Sequence, residues 1–177
     1  AELANCIAQT FAQAFGRAHN TQLIGGALEP LYRPATSTAP ATLYFREDYP
    51  ASALHEVAHW CIAGTQRRRQ EDFGYHYITG PRNAEDQVAF FESELRTQSL
   101  ERAFALALGL EFQPSADNVE ADIDAFTQAI QAHTPTLHDW LASSAGARAR
   151  IFIRALERTR ERIAQDPHPP LALGAAR

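Results

Sequence analysis

A chain of 177 residues is long enough for one substantial core and too short for two ordinary domains. Hydrophobic residues make up 45% and charged residues 21%, a globular balance, and no apolar run approaches the roughly 20 residues needed to span a bilayer. The net charge of -5 argues against a general nucleic-acid binder, which needs a basic face, although every cation apart from histidine is an arginine.

Residues 1–20 read as an amphipathic helix with Leu3, Ile7, Phe11 and Phe15 in register. The segment lacks the charged start and continuous apolar stretch of a signal peptide, so a cytoplasmic protein is expected. The two cysteines, Cys6 and Cys61, fall on apolar helix faces, which predicts buried thiols in a reducing compartment and no disulfide. Asn20 to Gly26 reads as a turn with a short apolar piece. Residues 29–48 read as extended chain punctuated by Pro30, Pro34 and Pro40, with Leu43–Phe45 as the best strand.

The stretch His55-Glu56-Val57-Ala58-His59 follows, the pattern His-Glu-x-x-His. On a helix its two histidines point the same way and can share one divalent metal, with the glutamate close to that face. Leu54, Val57, Ala58 and Cys61 gather on one side of the helix, and Ser52, His55, Glu56, His59 and Ala63 on the other, which predicts an apolar back and a polar front. Pro50 suits the helix start and Gly64 its end. Arg67, Arg68 and Arg69 come directly after. They are well placed for a helix C-terminus, and they also suit a docking patch for an acidic partner.

Asp72 to Ile78 is aromatic and β-prone, with Thr79-Gly80-Pro81 as a turn behind it. Residues 83–110 are helical, in one piece or two, with Phe90, Phe91, Leu95, Leu100, Phe104 and Leu108 as core candidates. Asp122 to His133 repeats the pattern through Ile123, Phe126 and Ile130. Ala147 to Ile163 gives a last helix that buries Ile151, Phe152, Ala155 and Leu156. From Asp166 the proline- and alanine-rich tail is expected to be loose. The fold expected is α+β, a mostly helical single domain over residues 1–165 with a few short strands and a metal-binding helix.

Two histidines rarely hold a catalytic metal alone, so a third ligand is expected from Asp72, Asp86, Glu92, Glu94 or Asp117. Glu92 and Glu94 differ by about 200° around a helix. Glu94 shares the side of Phe90, Phe91 and Gln98, whereas Glu92 falls on the outer side near Arg96, so Glu94 is chosen. Two histidines and a glutamate serve zinc peptidases and non-haem iron oxygenases alike. A histidine six residues after His59 would fall on Thr65, and Gln98 stands where many peptidases with a glutamate ligand carry aspartate, which weakens the peptidase reading.

With these residues in view, the chain resembles the elongation factor P hydroxylase family. The likeness runs through His55-Glu56-Val57-Ala58-His59-Trp60-Cys61-Ile62-Ala63-Gly64, the arginines that follow, Asp72-Phe73-Gly74-Tyr75, Glu94-Leu95-Arg96-Thr97-Gln98-Ser99-Leu100 and Asp117-Asn118. It implies a small cytoplasmic enzyme that hydroxylates the β-lysylated lysine of elongation factor P, with a metal on His55, His59 and Glu94. In the family a tryptophan is usual where this chain has His76. Hydroxylating an unactivated carbon requires dioxygen chemistry that zinc lacks, so iron(II) is the working metal this implies, with zinc as an alternative occupant. Glu56 is assigned to ligand orientation or proton handling, and Asp72, Tyr75 and Tyr77 to the pocket for the lysyl side chain. A zinc metallopeptidase and a non-catalytic, metal-stabilised binding module are the rival readings.

Overall fold

The computed structural model describes residues 1–71, 83–115 and 122–166. The first helix, α1 (Glu2–Phe11), widens into a π-helical segment (Ala12–Gly16) and closes with α2 (Arg17–His19). Ile7, Phe11 and Phe15 are fully buried along it, as the periodicity predicts. Asn20, in the left-handed conformation (φ 47°), turns the chain directly into strand β1 (Thr21–Ala27), where the sequence reads as a turn. Gly25 and Gly26 weaken the intrinsic preference for strand, but pairing with a neighbour overrides it. A Cβ on Gly25 would lie 2.6 Å from the Phe45 ring, so that close approach admits only glycine.

Strands β2 (Leu31–Arg33) and β3 (Ala41–Arg46) complete a three-stranded sheet in the order β1-β3-β2, with β1 parallel and β2 antiparallel to β3. The motif helix α3 (Pro50–Ile62) starts at its proline. Both faces of this helix are packed. Ala53, Leu54, Val57, Ala58, Trp60 and Cys61 are buried, but so are Glu56 and His59, because the polar front is covered by another helix.

That helix is α4 (Ala84–Leu108), a single 25-residue element capped by Asn83, whose side chain accepts from the Asp86 amide at 2.8 Å. It ends at Gly109, where φ of +81° and an Arg160 side chain 2.9 Å from any added Cβ select glycine. Leu100, Phe104 and Leu108 are fully buried, while Phe90, Phe91 and Leu95 are only partly so. Helix α5 (Ile123–Ala142) runs well beyond His133 and through Pro135. Losing one amide donor at Pro135 is offset by burying Leu137 and packing Trp140 and Leu141 on the core. Ile123 lies on the stripe of Phe126 and Ile130 but in the first turn, at the helix end, and is 43% exposed. In α6 (Ala147–Gln165) the buried stripe is Phe152, Ala155, Leu156, Thr159 and Ile163, with Ile151 a quarter turn off it and also exposed.

Phe11, Phe15, Phe104, Phe152 and Trp60 form the aromatic centre of the core, with Phe104 and Phe152 edge to face at 4.9 Å. Cys61 is buried there and burial pushes its thiol up to about 12; Cys6 is only half-buried. Neither is in a disulfide. No helix among the described residues is long and apolar enough to cross a membrane. The expected strand at Asp72–Ile78 and the tail beyond Asp166 lie outside the described residues.

Candidate metal centre

The face of α4 opposite His55 and His59 carries Glu94, Thr97, Gln98 and Glu101, spaced as i, i+3, i+4 and i+7, and all four are buried. A buried polar stripe survives only where each group has a partner. Glu101 and Thr97 meet the two motif histidines, and Gln98 holds Glu94.

The Nδ1 of His55 donates to Glu101 Oε2 at 2.7 Å. Thr97 donates its hydroxyl to the Ser93 carbonyl at 3.0 Å, so toward His59 Nδ1, 3.4 Å away, it can only accept. Both rings therefore present Nε2 to the centre, 3.1 Å apart. Glu94 Oε1 lies 3.9 Å from His59 Nε2, while Glu94 Oε2 accepts from Gln98 Nε2 at 3.1 Å. Gln98 is itself fixed by Ser115, donating to its carbonyl at 2.8 Å and accepting from its amide at 3.0 Å. Ligand atoms of His55, His59 and Glu94 all fall within 4.8 Å of one another.

Burial alone would hold His55 below the ordinary imidazole range, but the charge and hydrogen bond of Glu101, joined by the charges of Glu94 and Glu56, outweigh it and raise His55 to about 9. Burial, then the charges of His55 and Arg67, hold His59 well below its usual value. Without a metal, the proton between the rings thus belongs to His55, whose Nε2–H donates to His59 Nε2. A divalent cation can replace that proton. Two nitrogens each about 2.1 Å from a common ion lie roughly 3.0 to 3.4 Å apart at right or tetrahedral angles, and the separation here fits. The residues present suit a metal held by two imidazoles and one carboxylate.

Glu56 is buried beside this centre, and its charge reaches His55. Glu92 is exposed on the far side of α4, and Asp86 sits in that helix's first turn. The arginine run forms a 3-10 turn in which the three side chains divide. Arg67 bears on His59, Arg68 donates to the Trp60 carbonyl at 3.2 Å, and Arg69 is exposed. Asp72, Tyr75, Tyr77, His76 and Asp117 lie outside the described residues. Glu101 is the site residue that sequence reasoning missed. Its signal was present, seven residues and so two helical turns after Glu94, on the same face.

A helical scaffold with a small sheet carries, between two helices, a largely buried cluster of two histidines and one glutamate, a donor set that could hold one metal ion. Over residues 10–167 the sequence matches the elongation factor P hydroxylase family, and the chain belongs to that family. It is similar to the elongation factor P lysine hydroxylase of Haemophilus influenzae, 42% identical over 124 residues that cover 68% of this chain and 70% of that relative.

Proposed function

We propose that this chain hydroxylates the β-lysylated lysine side chain of elongation factor P in the cytoplasm, using a metal held by His55, His59 and Glu94. The observation that carries the reading is the largely buried cluster of these three residues in a member of this family. Iron(II) is the metal we assign, and when bound it supplies the activation of dioxygen that oxidation of an unactivated carbon needs. One oxygen atom enters the C–H bond and the other leaves as water, with two electrons from an external reductant and two protons from solvent.

The protein's own part is orientation and proton control. Glu101 and Thr97 fix the two imidazoles with Nε2 inward, and Gln98 holds one oxygen of Glu94 so that the other faces the histidines. Glu56, buried against the same centre, is the group we assign to holding or moving a proton there. Asp72, Tyr75 and Tyr77 remain our assignment for the lysyl pocket, and Arg67, Arg68 and Arg69 for the approach of an acidic protein surface. We take residues 1–165 as the hydroxylase domain.

The test is the intact mass of β-lysylated elongation factor P after incubation with the protein, iron(II), a reductant and air. A gain of one oxygen atom that requires all four is the expected result. No mass change, or cleavage of the substrate with zinc bound, would overturn the reading in favour of the peptidase. Unchanged elongation factor P affinity after the metal is stripped, with no product, would favour the binding module.

A further inference from the structure

Trp60, one residue past His59, also lines a separate cavity of about 330 Å³ whose wall includes His19, Tyr32, Arg68, Arg69 and Arg148. That volume lies at the small end of ligand pockets, which run from about 300 to 1,000 Å³. No aspartate or glutamate is among the described residues that line it.

The charge placement is unusual for a surface without a ligand. The guanidinium of Arg148 stands 4.3 Å from the Trp60 ring centroid, and that of Arg68 stands 5.8 Å from the same centroid. Both side chains are partly buried. Arg68 is held in place, donating to the Trp60 carbonyl at 3.2 Å while its own carbonyl accepts from the Tyr32 hydroxyl at 2.7 Å. Among the described residues neither guanidinium has a carboxylate within ion-pair distance. The aromatic face attracts a cation but accepts no conventional hydrogen bond, and each guanidinium carries five donors.

Two like charges against one ring, drawn partly out of water, are unfavourable until an anion joins them. Burial lowers the proton affinity of both arginines, and Arg68 lowers that of Arg148 further. Burial and then these two arginines likewise hold His19 below its ordinary value, so it stays neutral and adds no charge of its own. Guanidinium forks match carboxylate and phosphate oxygens.

We propose that this cavity is a second binding site, for a small oxyanion: a phosphate- or carboxylate-bearing molecule held by Arg68, Arg69 and Arg148. The inference uses Arg68 and Arg69, which the hydroxylation reading also assigns to docking, but it does not rest on that reading, and its test needs no turnover. Isothermal titration of the full chain with inorganic phosphate, and separately with succinate, at an ionic strength held constant with chloride, should give saturable one-site binding for at least one of them. Arg148→Gln, which removes a cation stacked on Trp60 and leaves Phe11 and Phe15 packed on that ring, should weaken it by about tenfold or more. Arg69→Gln, an exposed change, should weaken it as well and decides the matter if the first variant fails to fold. Metal content should be the same in all three proteins. No saturable binding to the unmodified chain, or binding unchanged in the folded variants, overturns the proposal. So does weakened elongation factor P binding in the variants without any phosphate or succinate site, which would make the cavity a protein contact.

Discussion

Glu101→Gln preserves the volume and the acceptor beside His55 Nδ1 but removes a charge 2.7 Å away. With His55 raised to about 9, an ion arriving at pH 7 must displace a proton. Two pH units cost about 2.7 kcal/mol, close to a hundredfold in affinity. A raised pKa means that the protonated, metal-refusing form dominates below about 9, so affinity should climb about tenfold per pH unit from 7 and level off near 9. Removing the Glu101 charge withdraws the largest support for that proton, and the competition fades. Loss of such a partner also costs about 10 to 100-fold in metal affinity or activity. The two effects offset each other at pH 7, and only the loss remains at pH 9. Zinc affinity from competition with a chromophoric chelator at pH 7, 8 and 9 should therefore show near parity at the low end and a deficit of about 10 to 100-fold at the high end. PH-independent binding in the unmodified protein, or parallel profiles for the two, would refute the argument.

His55→Ala, His59→Ala and Glu94→Ala should each sharply reduce bound metal by elemental analysis while helical circular dichroism persists; Glu92→Ala, an exposed change one turn face away, should keep full occupancy. Full occupancy in Glu94→Ala would move the third ligand elsewhere. Glu56→Gln should retain the metal and slow hydroxylation of elongation factor P by about 10 to 100-fold, and a metal-free variant would make Glu56 a ligand. Phe104→Ala, which empties a fully buried site beside Phe152, should lower unfolding free energy by about 3 to 5 kcal/mol in urea; a change under about 1 kcal/mol would mean the site collapses around the gap.

The site was legible because its spacing is short and helical. His55, His59 and the choice of Glu94 over Glu92 follow from angles around single helices, and the structure brings these three together. What failed to show was contact between elements. That the polar front of α3 is buried, with α4 laying its own polar stripe across it, does not follow from either helix alone. Strand β1 is masked by its glycines because its stability comes from pairing with β3, and α5 outruns Pro135 because tertiary burial beyond that residue outweighs one lost hydrogen bond. Ile123 and Ile151 have core chemistry but occupy a helix end and a stripe edge, which composition does not distinguish.

The π-helical segment at Ala12–Gly16 has a consequence for how the chain tolerates changes of length. In an ordinary α-helix the step from Phe11 to Phe15 advances about 40° beyond a full turn, whereas the wider π turn leaves it about 30° short of one, so either geometry keeps the two rings on one side. Both rings meet Trp60, at 5.3 and 4.9 Å. Deleting one residue here would bring Phe15 to three residues after Phe11, about 60° short of a full turn in an ordinary α-helix, and change how it meets the tryptophan that adjoins His59. The same deletion among Thr36–Ala39, in an exposed connection between β2 and β3, would be absorbed locally. Insertions and deletions in the opening helix should therefore be felt at Trp60, the neighbour in sequence of the candidate ligand His59.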